Sequence, residues 1–150
     1  ALGLDSAEEV AEAAEAVRFR LGRKDATLLV QEMAEAGVEA VLTVRRDPDF
    51  GTLIALGAGG VLVELVRDVG YVATPATEAD VNRRIDGLRL AKLLEGFRGA
   101  PPADRDALVK AALGLARAFD TLDGAQEIEI NPLLVRPKKR GVMALDVLIR

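Results

Sequence analysis

Residues 127–135 read Glu-Ile-Glu-Ile-Asn-Pro-Leu-Leu-Val, and residues 142–149 read Val-Met-Ala-Leu-Asp-Val-Leu-Ile. The first stretch alternates polar and apolar side chains, which is typical of a β-strand with two different faces. The two stretches flank Pro-Lys-Lys-Arg at 137–140, a composition that favours a turn. The sequence therefore predicts a C-terminal β-hairpin.

The apolar positions also predict how the two strands of this hairpin pair. With the turn at 137–140, Ile128 lies opposite Ile149 and Asn131 lies opposite Asp146. A slip of one residue would place Asp146 on the face of the isoleucines, which is costly for a carboxylate. The predicted register keeps one face apolar and the other polar.

The polar face of the hairpin carries oxygen-bearing side chains. Side chains directly opposite each other lie about 4.5–5.5 Å apart at Cβ, and Mg²⁺ prefers oxygen ligands at about 2.0–2.1 Å. Asn131 and Asp146 are therefore candidate ligands of one Mg²⁺, with Glu129 as a third. The pattern alone also fits a hairpin with one wet face and an Asn-Pro turn, and a bulge could change the pairing.

The segments before the hairpin mix strand-like and helical patterns with short connections, which favours an antiparallel-rich α+β domain over a doubly wound sheet. A Ser-x-x-Glu capping box at Ser6 starts the first amphipathic helix. Strands are predicted at 27–31, 38–46, 52–56, 61–66 and 69–73, and helices at 7–20, after Thr77, near 88–95 and near 104–120.

The run Gly-Ala-Gly-Gly at 57–60 is predicted to connect two of these strands. It is not a dinucleotide fingerprint, because the third glycine would fall at Leu62 and a strand follows instead of a helix. Two interpretations remain open, a tight connection between strands or a backbone surface that approaches phosphate.

Composition excludes several classes of chemistry. The 150 residues include no Cys and no His, so thiol nucleophiles, thiolate zinc sites and histidine acid–base catalysis are excluded within this chain. The net charge of −4, with one Tyr and four Phe, does not suit a nucleic-acid surface. No stretch approaches the ~20 apolar residues needed to span a bilayer, and the start is no signal peptide, so we expect a cytoplasmic protein without a membrane partner.

The motifs together resemble one family. Glu-Ile-Asn-Pro-Leu at 129–133, followed by Ala-Leu-Asp ending at Asp146, is similar to the closing hairpin of ATP-grasp enzymes. It most resembles the ATP-grasp domains of NDP-forming acyl-CoA synthetases, namely ADP-forming acetyl-CoA synthetase and the β subunit of succinyl-CoA synthetase. Upstream of the hairpin, further stretches are similar to the same family, in the same order, at 30–33, 37–39, 45–51, 57–64 and 94–102.

The resemblance implies a fold and an activity. The fold would be ATP-grasp-like, an antiparallel-rich sheet with helices packed on it and the C-terminal hairpin. The activity would interconvert acid, CoA and ATP with acyl-CoA, ADP and phosphate, through an acyl phosphate and a phosphohistidine. Mg²⁺ and ATP or ADP would be the cofactors.

The resemblance also assigns residues to this site. Asn131 and Asp146 would hold the Mg²⁺ of the nucleotide, with Glu129 assisting. Without the resemblance, Glu32 and Glu39 would be interpreted as ordinary solvated carboxylates. The resemblance implies that Glu32 lies beside the adenine, that Glu39 accepts hydrogen bonds from the ribose, and that Arg46 faces the phosphates.

The sequence departs from the family in what it lacks. The family has an earlier lobe with a lysine that grips phosphate and a histidine of the phosphate relay, whereas this chain has no His. We therefore expect residues 1–150 to be the C-terminal portion of an ATP-grasp domain, without the N-terminal lobe elements and the CoA-binding half, and inactive alone. The expected partners are nucleotide, a CoA-binding domain or subunit, and further copies in an oligomer. The alternative is a non-catalytic, ligand-sensing ATP-grasp module of a protein lysine acetyltransferase.

Overall fold

The computed structural model describes residues 1–60 and 68–150, so the strand predicted at 61–66 lies outside the described residues. The described chain forms two compact units, residues 1–35 and residues 36–150. Within the described ranges, no helix is long and apolar enough to cross a membrane.

The first unit is built on helix α1, Ala7–Leu21, as predicted. The Ser6 hydroxyl accepts the N–H of Glu9 and so caps the first turn. The Glu9 carboxylate accepts the N–H of Asp5 instead of that of Ser6, so the capping box is only half formed. The helix ends at Gly22, whose φ of 63° is the left-handed conformation that glycine adopts without strain.

The prediction of a strand at 27–31 is wrong, because these residues form no regular secondary structure. Leu29 and Val30 are 81% and 70% exposed. A strand requires a neighbour for its backbone N–H and C=O groups, and none of the described strands pairs with this segment. Residues 28–30 instead line a groove of about 290 Å³ with the apolar side of α1.

The second unit contains a six-stranded, entirely antiparallel sheet in the order β3-β2-β1-β4-β5, with β6 also paired to β4. This confirms the prediction of an antiparallel-rich α+β fold. The strands are β1 Val38–Asp47, β2 Gly51–Ala58, β3 Val69–Ala73, β4 Glu127–Val135, β5 Val142–Ala144 and β6 Val147–Ile149.

Three helices follow β3, namely α2 Glu78–Asp86, α3 Arg89–Leu94 and α4 Arg105–Asp120. Each lies where the sequence predicts a helix. Thr77 and Asp80 form a complete capping box at the start of α2, which fixes where that helix begins.

The hydrophobic core lies between these helices and one face of the sheet. Leu42 of β1 and Ile54 of β2 pack in one buried cluster with Val81, Leu108 and Phe119 of the helices. All five side chains are 0–1% exposed. Among the described residues, Phe119 has the largest fully buried side chain. It therefore buries a large apolar area, which stabilises the fold.

Asp104 joins the start of α4 to the turn of the C-terminal hairpin. Its carboxylate accepts the N–H of Ala107 at 3.2 Å and the N–H of Gly141 at 2.9 Å. Its own N–H donates to the carbonyl of Arg136 at 2.8 Å. The bond from Gly141, followed by that from Ala107, holds the pKa of Asp104 below its usual value of 3.8.

This lowered pKa predicts how stability depends on pH. The ionised carboxylate stabilises the fold above the unfolded-state pKa near 3.8, and this contribution is lost as pH falls through the lower, folded-state pKa. We therefore expect the Tm of Asp104→Asn to fall less steeply than that of the wild type below about pH 4. Asp123→Asn, in an exposed turn, is the matched control. If calorimetric scans showed that the Tm of the wild type and of Asp104→Asn falls equally steeply with decreasing pH, the stabilising role of the ionised Asp104 would be contradicted.

Candidate functional site

The predicted register of the C-terminal hairpin is confirmed. Ile128 pairs with Ile149 in β6, and Leu133 pairs with Ala144 in β5. Between these pairs, the N–H of Asn131 donates to the carbonyl of Asp146 at 3.1 Å. Asn131 of β4 and Asp146, in the short break between β5 and β6, are therefore adjacent across the hairpin.

A local irregularity separates the two halves of β4. On its β1 side, Ile130 pairs with Leu42 but Leu133 pairs with Ala40, so Asn131 and Pro132 together face a single residue of β1. Such a bulge bends a strand and re-aims its side chains, and bulges are common next to active sites. This bulge lies in the pairing of β4 with β1, beside the candidate metal ligands, and it does not change the register of the hairpin, where a bulge was the open alternative.

The bulge also limits the predicted apolar face. Beyond it Leu133 joins Ile128 in the helix-facing core, which an unbroken alternation from 127 would not give. On the partner side, regular pairing stops at Ala144 and resumes at Val147. Val147 and Ile149 are 49% and 60% exposed, so the apolar face is buried on β4 but not on β6.

The face of the sheet opposite the helices carries the candidate nucleotide-binding carboxylates. Glu129 lies directly opposite Thr43 of β1 and therefore points to the same side. Because β1 pairs with β2 without a register shift, Glu39 shares that side with Thr43. Leu42 points to the other side, into the core. The structure therefore brings Glu39 and Glu129 to one face, as the metal–nucleotide prediction requires.

The glycine run folds back over the start of β1. Its first two residues, Gly57 and Ala58, belong to β2, so the prediction that the whole run is a connection is corrected. The N–H of Gly59 donates to the carbonyl of Glu39 at 2.8 Å. A Cβ at Gly59 would collide with the backbone of Ala40, and Gly60 has a φ of 77°, a left-handed conformation that glycine adopts without strain. Close packing and backbone conformation thus explain these two glycines, and contact with phosphate stays a prediction.

Arg46 lies on the helix-facing side of the sheet. Its guanidinium carbon is 4.9 Å from the centre of the Phe119 ring, and its Nε donates to the carbonyl of Ala125 at 3.1 Å. These contacts hold the end of α4 against the sheet. The structure therefore does not bring Arg46 together with Glu39 and Glu129, and its contact with phosphates stays a prediction.

The neighbouring arginine is a residue that the sequence reasoning missed. Arg45 lies directly opposite Glu127, two positions from Glu129, on the face of the carboxylates. Its Nη2 donates to Oδ2 of Asp47 at 3.2 Å. The two-residue period of β1, counted from Glu39, was the signal that distinguishes Arg45 from Arg46.

Glu32 belongs to the first unit, where it is exposed, and its contact with adenine stays a prediction. Within residues 1–60 and 68–150, no three side chains of the Asp, Glu, His and Cys types converge on a metal position. The candidate metal set contains only two carboxylates. An ion at the hairpin would therefore depend on the Asn131 amide oxygen beside Glu129 and Asp146, a donor set that suits Mg²⁺.

Comparison with known proteins gives the same family along the entire chain. Residues 1–150 match the family model described as an ATP-grasp domain. The chain is similar to the β subunit of acetate–CoA ligase (ADP-forming) II of Pyrococcus furiosus, with 34% identity over 154 residues, covering 99% of this chain and 65% of that protein. It is also similar to the 4-hydroxybutyrate–CoA ligase (ADP-forming) of Nitrosopumilus maritimus, with 34% identity over 122 residues, covering 81% of this chain and 18% of that protein.

Solved structures agree with this result. The dinucleotide-forming acetyl-coenzyme A synthetase 1 of Ca. Korarchaeum cryptofilum, in complex with coenzyme A and Mg-AMPPCP, superposes with a TM-score of 0.87 at 36% identity. The match covers 99% of this chain and 66% of that chain. The apo form of the same protein gives a TM-score of 0.83 and covers 97% of this chain and 67% of that chain. This chain thus spans about two thirds of the length of these solved chains and of the Pyrococcus furiosus β subunit.

Proposed function

Because the chain belongs to the ATP-grasp domain family, we propose that it is the Mg-nucleotide-binding part of an ADP-forming acyl-CoA synthetase. That enzyme would convert acid, CoA and ATP into acyl-CoA, ADP and phosphate. The observation that carries the proposal is the hairpin register, which sets Asn131 opposite Asp146 beside Glu129. Relatives with 34% identity bear the names of ADP-forming CoA ligases.

Each candidate residue has a proposed role in binding the Mg-nucleotide. Asn131, Asp146 and Glu129 would supply oxygen ligands to the metal. When bound, Mg²⁺ neutralises charge on the phosphate oxygens and so favours phosphoryl transfer. Glu39 would accept hydrogen bonds from the ribose hydroxyls, and Glu32 would lie beside the adenine.

We further propose that residues 1–150 form the C-terminal portion of the ATP-grasp domain and are inactive without its other elements. The partner would be a CoA-binding domain or subunit of the same enzyme, in a larger oligomer in the cytoplasm. A similar protein bears the name of a β subunit, which supports a partner of this kind.

Glu39→Gln tests this function, measured in the full-length protein that contains the chain. The substitution keeps the size of the side chain and removes the charge that would accept hydrogen bonds from the ribose. Hydrogen bonds to charged groups contribute ~1.5–3 kcal/mol, so we expect roughly tenfold weaker binding of Mg·ATP. Isothermal titration calorimetry measures the Kd directly.

Two controls accompany this experiment. Glu95→Gln changes an exposed carboxylate at the end of α3, and its Kd should match that of the wild type. The Tm of Glu39→Gln should also stay close to the wild-type value, because Glu39 is exposed. Unchanged ATP affinity would remove Glu39 from the site, and a wild-type protein that binds no Mg-nucleotide would refute the proposed function.

A further inference from the structure

Two consecutive arginines stand at the end of β1, and the pleat of the strand sends them to opposite faces of the sheet. Arg46 is engaged on the helix side by the Phe119 ring and the Ala125 carbonyl. Arg45 is on the other side, directly opposite Glu127. Only Arg45 therefore shares a face with the carboxylates of the candidate site.

The spacing along this face orders the groups that a nucleotide would meet. Glu39 lies near the start of β1, and Thr43, with Glu129 opposite, lies four residues further on. At a rise of ~3.3 Å per residue this separation is roughly 13 Å, and Arg45 lies about 7 Å beyond Thr43. A ribose at Glu39 and a metal at Glu129 would thus direct the end of the phosphate chain towards Arg45.

The guanidinium of Arg45 is held in place but largely unused. Asp47 anchors it at 3.2 Å, and that carboxylate is itself fixed by the N–H groups of Asp49 and Phe50 at 3.0 and 3.1 Å. An arginine side chain has five N–H donors, and the bond to Asp47 is the only hydrogen bond that the Arg45 side chain makes among residues 1–60 and 68–150. Its side chain is 45% exposed.

The acidic residue opposite Arg45 does not consume these donors. Glu127 Oε1 pairs instead with Nη1 of Arg150 at 3.3 Å. An open cleft of about 400 Å³ at this end of the sheet is lined by Arg45 and Arg150 with Asp47 and Glu127. Arg46 also borders it, but its guanidinium is engaged by the Phe119 ring and the Ala125 carbonyl. The cleft is large enough to admit a phosphate group, and the fork of a guanidinium matches phosphate oxygens in geometry and charge.

From this geometry we infer that Arg45, in place of Arg46, is the arginine that contacts the phosphates of the bound nucleotide, and that it meets the terminal phosphate. The inference rests on the proposed function, because it takes Glu39 and Glu129 as the ribose and metal positions. Arg45 would bind and orient the phosphate that is transferred, while Arg46 serves the packing of α4.

The paired variants Arg45→Gln and Arg46→Gln test this inference in the full-length protein. Calorimetric titrations with Mg·ATP, Mg·ADP and adenosine give three affinities for each protein. We expect Arg45→Gln to weaken Mg·ATP by roughly tenfold or more, Mg·ADP by less, and adenosine not measurably. Arg45→Lys, which keeps the charge but not the fork, should recover only part of the ATP affinity.

Arg46→Gln is the matched control at the adjacent position. It should lower the Tm, since it loses the Phe119 and Ala125 contacts, and leave the three affinities within about twofold of the wild type. Loss of ATP affinity in Arg46→Gln together with wild-type affinity in Arg45→Gln would overturn the inference. So would an equal loss for ATP and adenosine in Arg45→Gln, which would indicate a general distortion. A wild-type protein that binds none of the three ligands would instead refute the proposed function itself.

Discussion

Asp146→Asn is expected to abolish Mg²⁺-dependent nucleotide binding while leaving the protein folded. The side chain is exposed, and the replacement has the same size and shape, so the packing should not change. The metal, however, would lose a charged oxygen ligand. Loss of an outer-shell partner of a metal already costs roughly 10–100-fold in affinity, so a lost ligand should cost more than about a hundredfold. Titration of the full-length protein with ATP, with and without Mg²⁺, measures the effect.

The stability of the metal-free protein separates a metal role from a structural one. With two carboxylates at one metal position, Asp146→Asn removes a repulsion with Glu129, so the Tm without Mg²⁺ should stay equal or rise. Asn131→Ala should also weaken Mg-nucleotide binding. The electrostatic contribution to this loss should be smaller than for Asp146→Asn, because the amide of Asn131 carries no net charge. Asp123→Asn, another exposed carboxylate, should change neither quantity. A lower Tm with unchanged nucleotide affinity in Asp146→Asn would show that the residue is structural.

Phe119→Ala is expected to destabilise the protein by about 3–5 kcal/mol, the usual cost of removing a fully buried aromatic ring from a core. Phe119 is 0% exposed and belongs to the cluster that joins the helices to the sheet. The variant also deprives Arg46 of the ring beneath its guanidinium. Urea unfolding followed by circular dichroism gives the free energy of unfolding.

Phe97→Ala is a closely matched control for this prediction. Phe97 also lies beneath an arginine, with the guanidinium carbon of Arg98 at 5.4 Å from the ring centre, but the ring is 54% exposed. Phe97 and Phe119 therefore both make a cation–π contact, but only Phe119 is buried. We expect a loss below about 1 kcal/mol. Similar losses for Phe97→Ala and Phe119→Ala would mean that burial is not what makes Phe119 important.

The sequence predicted the sheet well where one face must be apolar. The pairing of Ile128 with Ile149 was predicted by keeping Asp146 off the face of the isoleucines, and the structure has that register, although Val147 and Ile149 on β6 are exposed. Capping residues likewise predicted where α2 begins. Such features are local, or they depend on the simple separation of polar from apolar side chains, so one sequence is sufficient to recognise them.

Other features depend on partners that are distant in sequence. Residues 28–30 have the composition of a strand, but composition does not reveal whether a neighbouring strand is available. The hydrogen bond between Asp104 and Gly141 joins residues 37 positions apart, and no sequence motif predicts it. The bulge at Asn131 becomes visible only against the register of β1.

The candidate site was predicted in its residue types more accurately than in its geometry. The resemblance to a family pointed to a cation near the phosphates, but it could not choose between two adjacent arginines. The alternation of β1 makes that choice, because Arg45 shares the face of Glu39 and Arg46 contacts Phe119. For Glu32 and for the metal ligands, the structure leaves the sequence-based roles as predictions for the binding experiments above.

The order of strands has a consequence for how the protein is made. β4, at 127–135, lies between β1 and β5, so one of the innermost strands is synthesised long after β1 to β3. At ~5–20 residues per second, β1 waits several seconds on the ribosome before its neighbour emerges. During that time β1 presents an open edge with unpaired backbone groups, which is a known route to aggregation. We therefore expect nascent chains that stop before Glu127 to depend on chaperones, because they lack the interior of the sheet and not merely its margin.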